Sequence, residues 1–387
     1  MFIYYFFLSI PIFNIFFEIK NKQDNFLLVY LLLLVIFLGF RFELGTDWYE
    51  YSKDFYYQID LFEKLKVEEF FKVKSILSFN LVSLVGNMPF YKIFLLISNL
   101  FSNNIIFFNL LNSIIVIFGI YYFCKKLNFE NSSIWLIYLF LFPFLVYVST
   151  DVVRQFTALT LVLISIAFLL ESKIKLSLLF IFFGCLFHIS SLIFFTIFFF
   201  YYKKFRISFM YLIIFIFSLY YFFYKKIFLA NLLKFYLSEE RLLDFSININ
   251  FFIILFPIFF MITFLKSYQF STREINLIRF FNIYGIFCLI ISFLDDTTSY
   301  RLSIYLLIYY IFIIISLSNK LKNNVQFWFK NSFMFFSVIS FILWANFSEH
   351  RHVYIPYKSV LFLDKEFENT KSQLCAKHPS ECNFVQR

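Results

Sequence analysis

Residues 133–202 read SIWLIYLFLFPFLVYVSTDVVRQFTALTLVLISIAFLLESKIKLSLLFIFFGCLFHISSLIFFTIFFFYY, a stretch in which polar residues do little more than punctuate four apolar runs. The runs cover 133–149, 153–170, 174–187 and 190–202. A helix needs about twenty apolar residues to cross a bilayer, so the first two are long enough to span and the last two are too short to do so untilted. The break at His188 predicts a helical hairpin or two half-helices meeting within the membrane. Such a device is allowed only where protein or water satisfies the interrupted backbone.

Working outward, further apolar runs fall near 2–17, 26–40, 105–123, 208–224, 250–265, 276–294, 302–318 and 331–347. The expected fold is therefore all-α, a polytopic integral membrane protein of about twelve helices with a long external loop after the second. Hydrophobic residues make up 61% of the 387 and charged residues 15%, which leaves no room for a soluble catalytic domain. Phenylalanine is the commonest aromatic at 68, against six Gly, six Pro and five Ala. Phe, Ile, Asn, Lys and Tyr share AT-rich codons, so the phenylalanines read as base composition rather than aromatic chemistry. The same bias gives 25 Lys to nine Arg, and each arginine carries more information for it. The start, MFIYYFFLSIPIFNIFF, lacks a basic leader and a small-residue cleavage site and reads as a retained first helix.

Residues 1–347 form one membrane-embedded domain on this reading, with 41–104 as an external loop, and 348–387 form a polar tail. The net charge of +10 does not point to nucleic acid, because the basic residues sit in short clusters beside apolar runs, as inward-facing loops would. Placing the 18–25 loop inside puts fifteen Lys and Arg in the inner loops, whereas the opposite turns near 150, 188 and 296 hold only Arg154 and Arg301. The loop 225–249 dissents, with Lys225, Lys226, Lys234 and Arg241 on the outer side, partly offset by Glu239, Glu240 and Asp244. The segment 80–100 is apolar enough to dip into the membrane or lie on it; a full crossing would break the charge pattern downstream. Cys124, Cys185 and Cys288 belong to apolar runs, while Cys375 and Cys382 bracket AKHPSE in the tail and would close a small loop in an oxidising compartment.

This topology brings the unusual polar residues to one face: Arg41 and Asp47 after the second run, Asp151 and Arg154 after the fourth, His188 at the break, Asp295, Asp296 and Arg301 after the tenth, and His350, Arg351 and His352 after the last. Arg41 ends a helix, where a cation is favoured without any ligand. Arg154 and Arg301 open helices, where the dipole disfavours a cation and an anion compensates it. Asp151, three residues before Arg154, supplies part of that compensation. A helix N-terminus beside an arginine is also a diphosphate site, and arginine in a lysine-rich chain suits bidentate phosphate recognition. His188 is either a hydrogen-bonded structural residue or a base titrating near neutrality. Asp295–Asp296 reads as a helix cap ahead of a magnesium site, and no metal or other cofactor is expected.

GFRFELGTDWYEYSKDF at 39–55 resembles the GFR-x-x-x-G-x-D-x-x-x-Y signature of the EpsG/Wzy group of bacterial polysaccharide polymerases. STDVVRQFTALTLVLISIAF, LFHISSLIFF, YRLSIYLLIYY and YIPYKSVLF resemble the later blocks in the same order, from about Gly39 to Leu363. Where the usual pattern has Asn or Ile-Arg before the helix at 154, this chain has Asp151-Val-Val-Arg154. The resemblance implies a bacterial inner-membrane glycosyltransferase that moves a glycan from undecaprenyl diphosphate onto the next lipid-linked repeat at the periplasmic face. A flippase and a chain-length regulator are implied as partners.

On that reading Arg154 and Arg301 hold the diphosphate with Arg41 in support. Asp47 or His188 is the base, Asp151 a further catalytic candidate, and Tyr51, Asp296 and Arg351 touch substrate. The competing readings are a lipid-linked oligosaccharide flippase, with arginines midway along its helices, and a ligase or membrane acyltransferase.

Overall fold

The computed structural model describes residues 2–17, 23–41, 51–52, 54–55, 89–102, 104–127, 131–201, 270–292, 302–320 and 323–347. Among these the secondary structure is helical: α1 (Phe2–Phe17), α2 (Gln23–Gly39), α3 (Pro89–Phe101), α4 (Ile105–Lys126), α5 (Asn131–Asp151), α6 (Val153–Leu170), α7 (Ile174–Phe187), a 3-10 helix (Ile189–Thr196), α8 (Ile197–Tyr201), α9 (Thr272–Ser292), α10 (Leu306–Lys320) and α11 (Asn323–Phe347). Two of them, α4 and α6, are at once long and apolar enough to cross a membrane. The runs expected at 208–224 and 250–265, the loop 225–249 and the tail 348–387 with Cys375 and Cys382 lie outside the described residues.

The helices are apolar on both sides, unlike those of a soluble bundle. On α2, Leu27, Leu31, Leu34, Val35 and Leu38 are buried while Leu28, Val29, Leu32, Leu33 and Ile36 are exposed. A helix hydrophobic all round belongs in an apolar solvent. On α3 the buried line Tyr91, Leu95, Ser98 faces the protein, and Ile93, Ile97, Leu100 and Phe101 form an exposed apolar line on the other side. That split suits the segment expected to dip into the membrane or lie on it.

The chain divides into two compact units, residues 1–192 with 314–387, and 193–313. In the first, α5 packs against α1, α2 and α11, and α4 packs against α2, α3 and α6. Rings fill the α1–α5–α11 seam, with Phe142 stacked on Phe7 and tilted against Phe341. Pro11 inside α1 has no N–H, so the carbonyl of Phe7 four residues back loses its helical donor. The hydroxyl of buried Tyr30 on α2 donates to that carbonyl at 3.2 Å. In a medium without water such a repair is what makes an internal proline tolerable.

The α6–α7 hairpin turns in three residues. Ser172 takes the left-handed conformation at φ 65°. Its N–H donates to the Leu169 carbonyl at 3.0 Å and the Lys173 N–H to the Phe168 carbonyl at 2.8 Å, a Schellman end in which serine stands where glycine usually does. Glu171 bridges Lys173 at 2.8 Å and Lys126 at 2.9 Å, which ties this turn to the end of α4. The lysines hold the Glu171 carboxyl below the usual carboxylate range, Lys173 contributing most. These basic turns therefore share one end of the unit. Farther along the hairpin the Ser165 hydroxyl meets Ser177, and Gly184 lets the α7 backbone approach the Ala158 carbonyl.

The second unit centres on Phe194, whose ring lies 5.0 Å from Tyr305 and 5.6 Å from Tyr284. Tyr284 donates to the Leu302 carbonyl at 2.8 Å and Tyr309 to Asn282 Oδ1 at 2.9 Å.

Candidate functional site

The end of the first unit opposite the Lys126–Glu171–Lys173 cluster gathers four of the candidate residues: Arg41, Tyr51, Arg154 and His188. Arg41 follows α2 and is almost wholly buried at 2% exposure. Its Nη1 donates to the Leu38 carbonyl at 2.7 Å, closing the helix end by the cation a C-terminus favours, and Nη2 donates to Asn109 Oδ1 of α4 at 2.9 Å. Gly39 permits that reach, because a Cβ there would sit 2.8 Å from Leu110 Cδ1 and 2.9 Å from its Cα. The Gly-Phe-Arg of the signature is thus a packing device: the glycine closes α2 on α4, and the arginine bonds across the contact.

A buried polar belt continues from Asn109. Ser113 donates to the Asn109 carbonyl, and Asn112, one turn along α4, contacts the Thr157 hydroxyl of α6, which also donates to the Val153 carbonyl. Asn109, Asn112, Ser113 and Thr157 are each no more than 2% exposed. Gly119 on α4 sits against Thr160 so closely that no Cβ would fit.

Arg154 lies in the first turn of α6, as the sequence reading expects. The helices α5 and α6 are separated by Val152 alone (φ −117°, ψ 46°), whose side chain gives the new helix no cap. Val152 thus supplies no side-chain cap to α6, and the positive end of the helix dipole adds to the guanidinium charge. That guanidinium lies 5.1 Å from the ring centre of Tyr91 on α3 and 5.6 Å from that of Tyr51, within reach of cation–π attraction to both. The two rings meet edge to face at 6.4 Å, and Tyr91 in turn packs edge to face on Phe108. Burial raises the Tyr91 hydroxyl well above the ordinary tyrosine value, with Asp54 adding to the rise. It stays a donor, reaching Asp54 Oδ2 at 3.4 Å. Tyr51, Phe55, Tyr91, Leu95, Phe108, Val153 and Phe187 form the apolar floor beneath. Arg154 and Asp54 are half-buried, so the site combines a fixed cation with a partly open side.

His188 ends α7 in extended conformation (φ −154°, ψ 125°), its N–H still bonded to the Gly184 carbonyl. The helix is therefore interrupted at the expected place, and the chain resumes as the 3-10 helix. Asp151 closes α5 immediately before the Arg154 turn. Asp47, Asp296, Arg301 and Arg351, with Asp295, His350 and His352, lie outside the described residues.

Asp54, Tyr91 and Asn109 are absent from the sequence reading. Asp54 was legible in one respect, since it stands three residues after Tyr51 and shares its helical face. Tyr91 opens the buried, protein-facing line of α3, but nothing local ties it to a residue 63 positions away. No group of three or more His, Cys, Asp or Glu able to hold a metal occurs among the described residues.

Compared with models of protein families, residues 24–359 match the one described as the EpsG family. No individual curated protein and no solved structure gives a significant match.

Proposed function

The chain belongs to the EpsG family, and from that premise we propose that this membrane protein is a polysaccharide polymerase acting on lipid-linked repeat units. The reaction assigned is glycosyl transfer. A hydroxyl of the incoming repeat attacks the anomeric carbon of the growing glycan, and the bond from that carbon to the diphosphate oxygen breaks. The acceptor proton passes to a base, and undecaprenyl diphosphate leaves with the electron pair. The barrier lies in the charge that develops on the leaving diphosphate, so preorganised cations are the main requirement.

Arg154 carries the reading. Its charge stands in the first turn of α6, at the positive end of the helix dipole, and two tyrosine rings limit where the guanidinium points. Arg301 is assigned as a second diphosphate ligand. Arg41 supports from within by fixing α2 to α4. Asp47 or His188 takes the proton, Asp151 completes the catalytic group, and Tyr51, Asp296 and Arg351 contact the sugars. The site is assigned to the periplasmic face of the inner membrane, supplied by a flippase and limited by a chain-length regulator.

One gel tests this. A deletion strain should retain a single repeat on its lipid core, and the wild-type gene should restore the full ladder. Loss of even the single repeat would point to a flippase or ligase, and an unchanged ladder to an acyltransferase. Arg154→Ala, inserted at the normal amount, should behave as the deletion; long polymer at wild-type levels from it would refute the diphosphate assignment.

A further inference from the structure

Tyr91 is engaged at both ends. The Arg154 guanidinium lies 5.1 Å from its ring centre, and its hydroxyl donates to Asp54 Oδ2 at 3.4 Å. Ring and hydroxyl form one rigid unit, so a single side chain sets the spacing between a cation and a carboxylate. Residues 51, 52, 54 and 55 are helical, and Tyr51 and Phe55 on either side of Asp54 are buried in the floor of the site. Asp54 is held by its neighbours, yet is itself only half-buried.

Its acceptor capacity is mostly unspent. A carboxylate has about four lone-pair sites on its two oxygens, whereas the Tyr91 hydroxyl brings one proton and reaches Oδ2 by a long bond. Among the described residues nothing bonds to Oδ1, and no ion-pair contact joins Asp54 to Arg154. The carboxylate cannot be a further diphosphate ligand, since like charges repel. What it can take is a neutral donor, and the neutral donors of a lipid-linked glycan are sugar hydroxyls. A charged acceptor strengthens such a bond, and a site built around it rejects a sugar that lacks the hydroxyl. One tyrosine side chain separates this acceptor from the diphosphate cation, a gap that the first sugar on the diphosphate can bridge.

We propose that Asp54 accepts a hydrogen bond from a hydroxyl of the sugar directly linked to the diphosphate, and so selects which lipid-linked glycan the site admits. The proposal rests on the polymerase reading and leaves the base to Asp47 or His188.

Two lipids separate the sugar from the diphosphate: undecaprenyl diphosphate itself, and the lipid-linked repeat extracted from the deletion strain. The Kd of each is measured for the purified full chain in nanodiscs, as wild type, Asp54→Asn, Asp54→Ala and Arg154→Ala, with a thermal melt to show that each variant is folded. Asparagine keeps the size of the side chain and removes its charge. The repeat should bind Asp54→Asn about tenfold more weakly than wild type, the loss expected for a hydrogen bond to a charged group, and Asp54→Ala more weakly still. Undecaprenyl diphosphate should bind both Asp54 variants at least as tightly as wild type, because a like charge has gone. Arg154→Ala should weaken both lipids. Unchanged affinity of the repeat for the Asp54 variants would overturn the proposal, and with turnover lost it would make Asp54 the base. An equal change for both lipids would reduce Asp54 to a charge acting on the diphosphate and overturn the proposal too. If neither lipid binds the wild type saturably, the polymerase reading fails and the proposal falls with it.

Discussion

Replacing Arg154 by lysine keeps the charge and removes the planar fork, which makes it the sharper test of what the two tyrosine faces are for. In the structure the guanidinium lies 5.1 and 5.6 Å from the two ring centres, so the two rings together restrict its orientation. A lysine ammonium is a strongly hydrated point charge on a flexible stem and holds no such orientation. The attraction of a positive group for a diphosphate survives the change. What goes is one of two charge-assisted hydrogen bonds, worth roughly 1.5–3 kcal/mol each. At about 1.4 kcal/mol per factor of ten, turnover should fall by roughly 10- to 100-fold. The half-buried setting of Arg154 favours the lower end, because solvent screens part of the loss. The assay is polymer formed from lipid-linked repeats by membranes of the deletion strain, as rate and chain-length distribution per inserted protein. Tyr91→Phe is the control. It keeps the ring face and loses only the long 3.4 Å bond to Asp54, so its rate should stay within about threefold of wild type, the equivalent of a weak net hydrogen bond. Wild-type turnover in Arg154→Lys would refute the reasoning, since charge alone would then suffice. So would a Tyr91→Phe defect as deep as that of Arg154→Ala.

Two further outcomes concern the scaffold. Tyr30→Phe should lower stability in detergent by about 1–3 kcal/mol, the cost of an unsatisfied buried carbonyl at Phe7; in a Pro11→Ala background, where the residue-11 N–H returns to that carbonyl, the penalty should shrink, and an unchanged penalty in a thermal melt would contradict the repair. Gly39→Ala places a methyl group 2.9 Å from the Leu110 backbone and should cost about 1–3 kcal/mol by overpacking. Because the same shift pulls Arg41 from Asn109, the Gly39→Ala and Asn109→Ala effects should be less than additive, and strict additivity would argue against the coupling.

Much of the helical framework was readable along the chain. The limits of α1, α6 and α7 coincide with the apolar runs 2–17, 153–170 and 174–187, and Arg154 falls in the first turn of its helix. Those features follow from length, hydropathy and local polar breaks, which act on neighbouring residues only. Of the amphipathic segment expected at 80–100, the described part forms α3, and the run at 190–202 resolves into a 3-10 helix followed by α8.

What hydropathy could not supply is which polar residue meets which. Arg41 was readable as a helix-end cation, yet its engagement of Asn109 depends on how tightly Gly39 lets α2 approach α4. Tyr91 stands apart from Arg154 by 63 positions and meets it because α3 packs on α4 and α7. The sequence by itself determined an all-helical apolar chain with arginines at helix ends, since solvent transfer and the helix dipole are properties of short segments. The tertiary structure alone decided the partners of those arginines, because hydrogen bonds and ring contacts form over a few ångströms and only packing sets such distances.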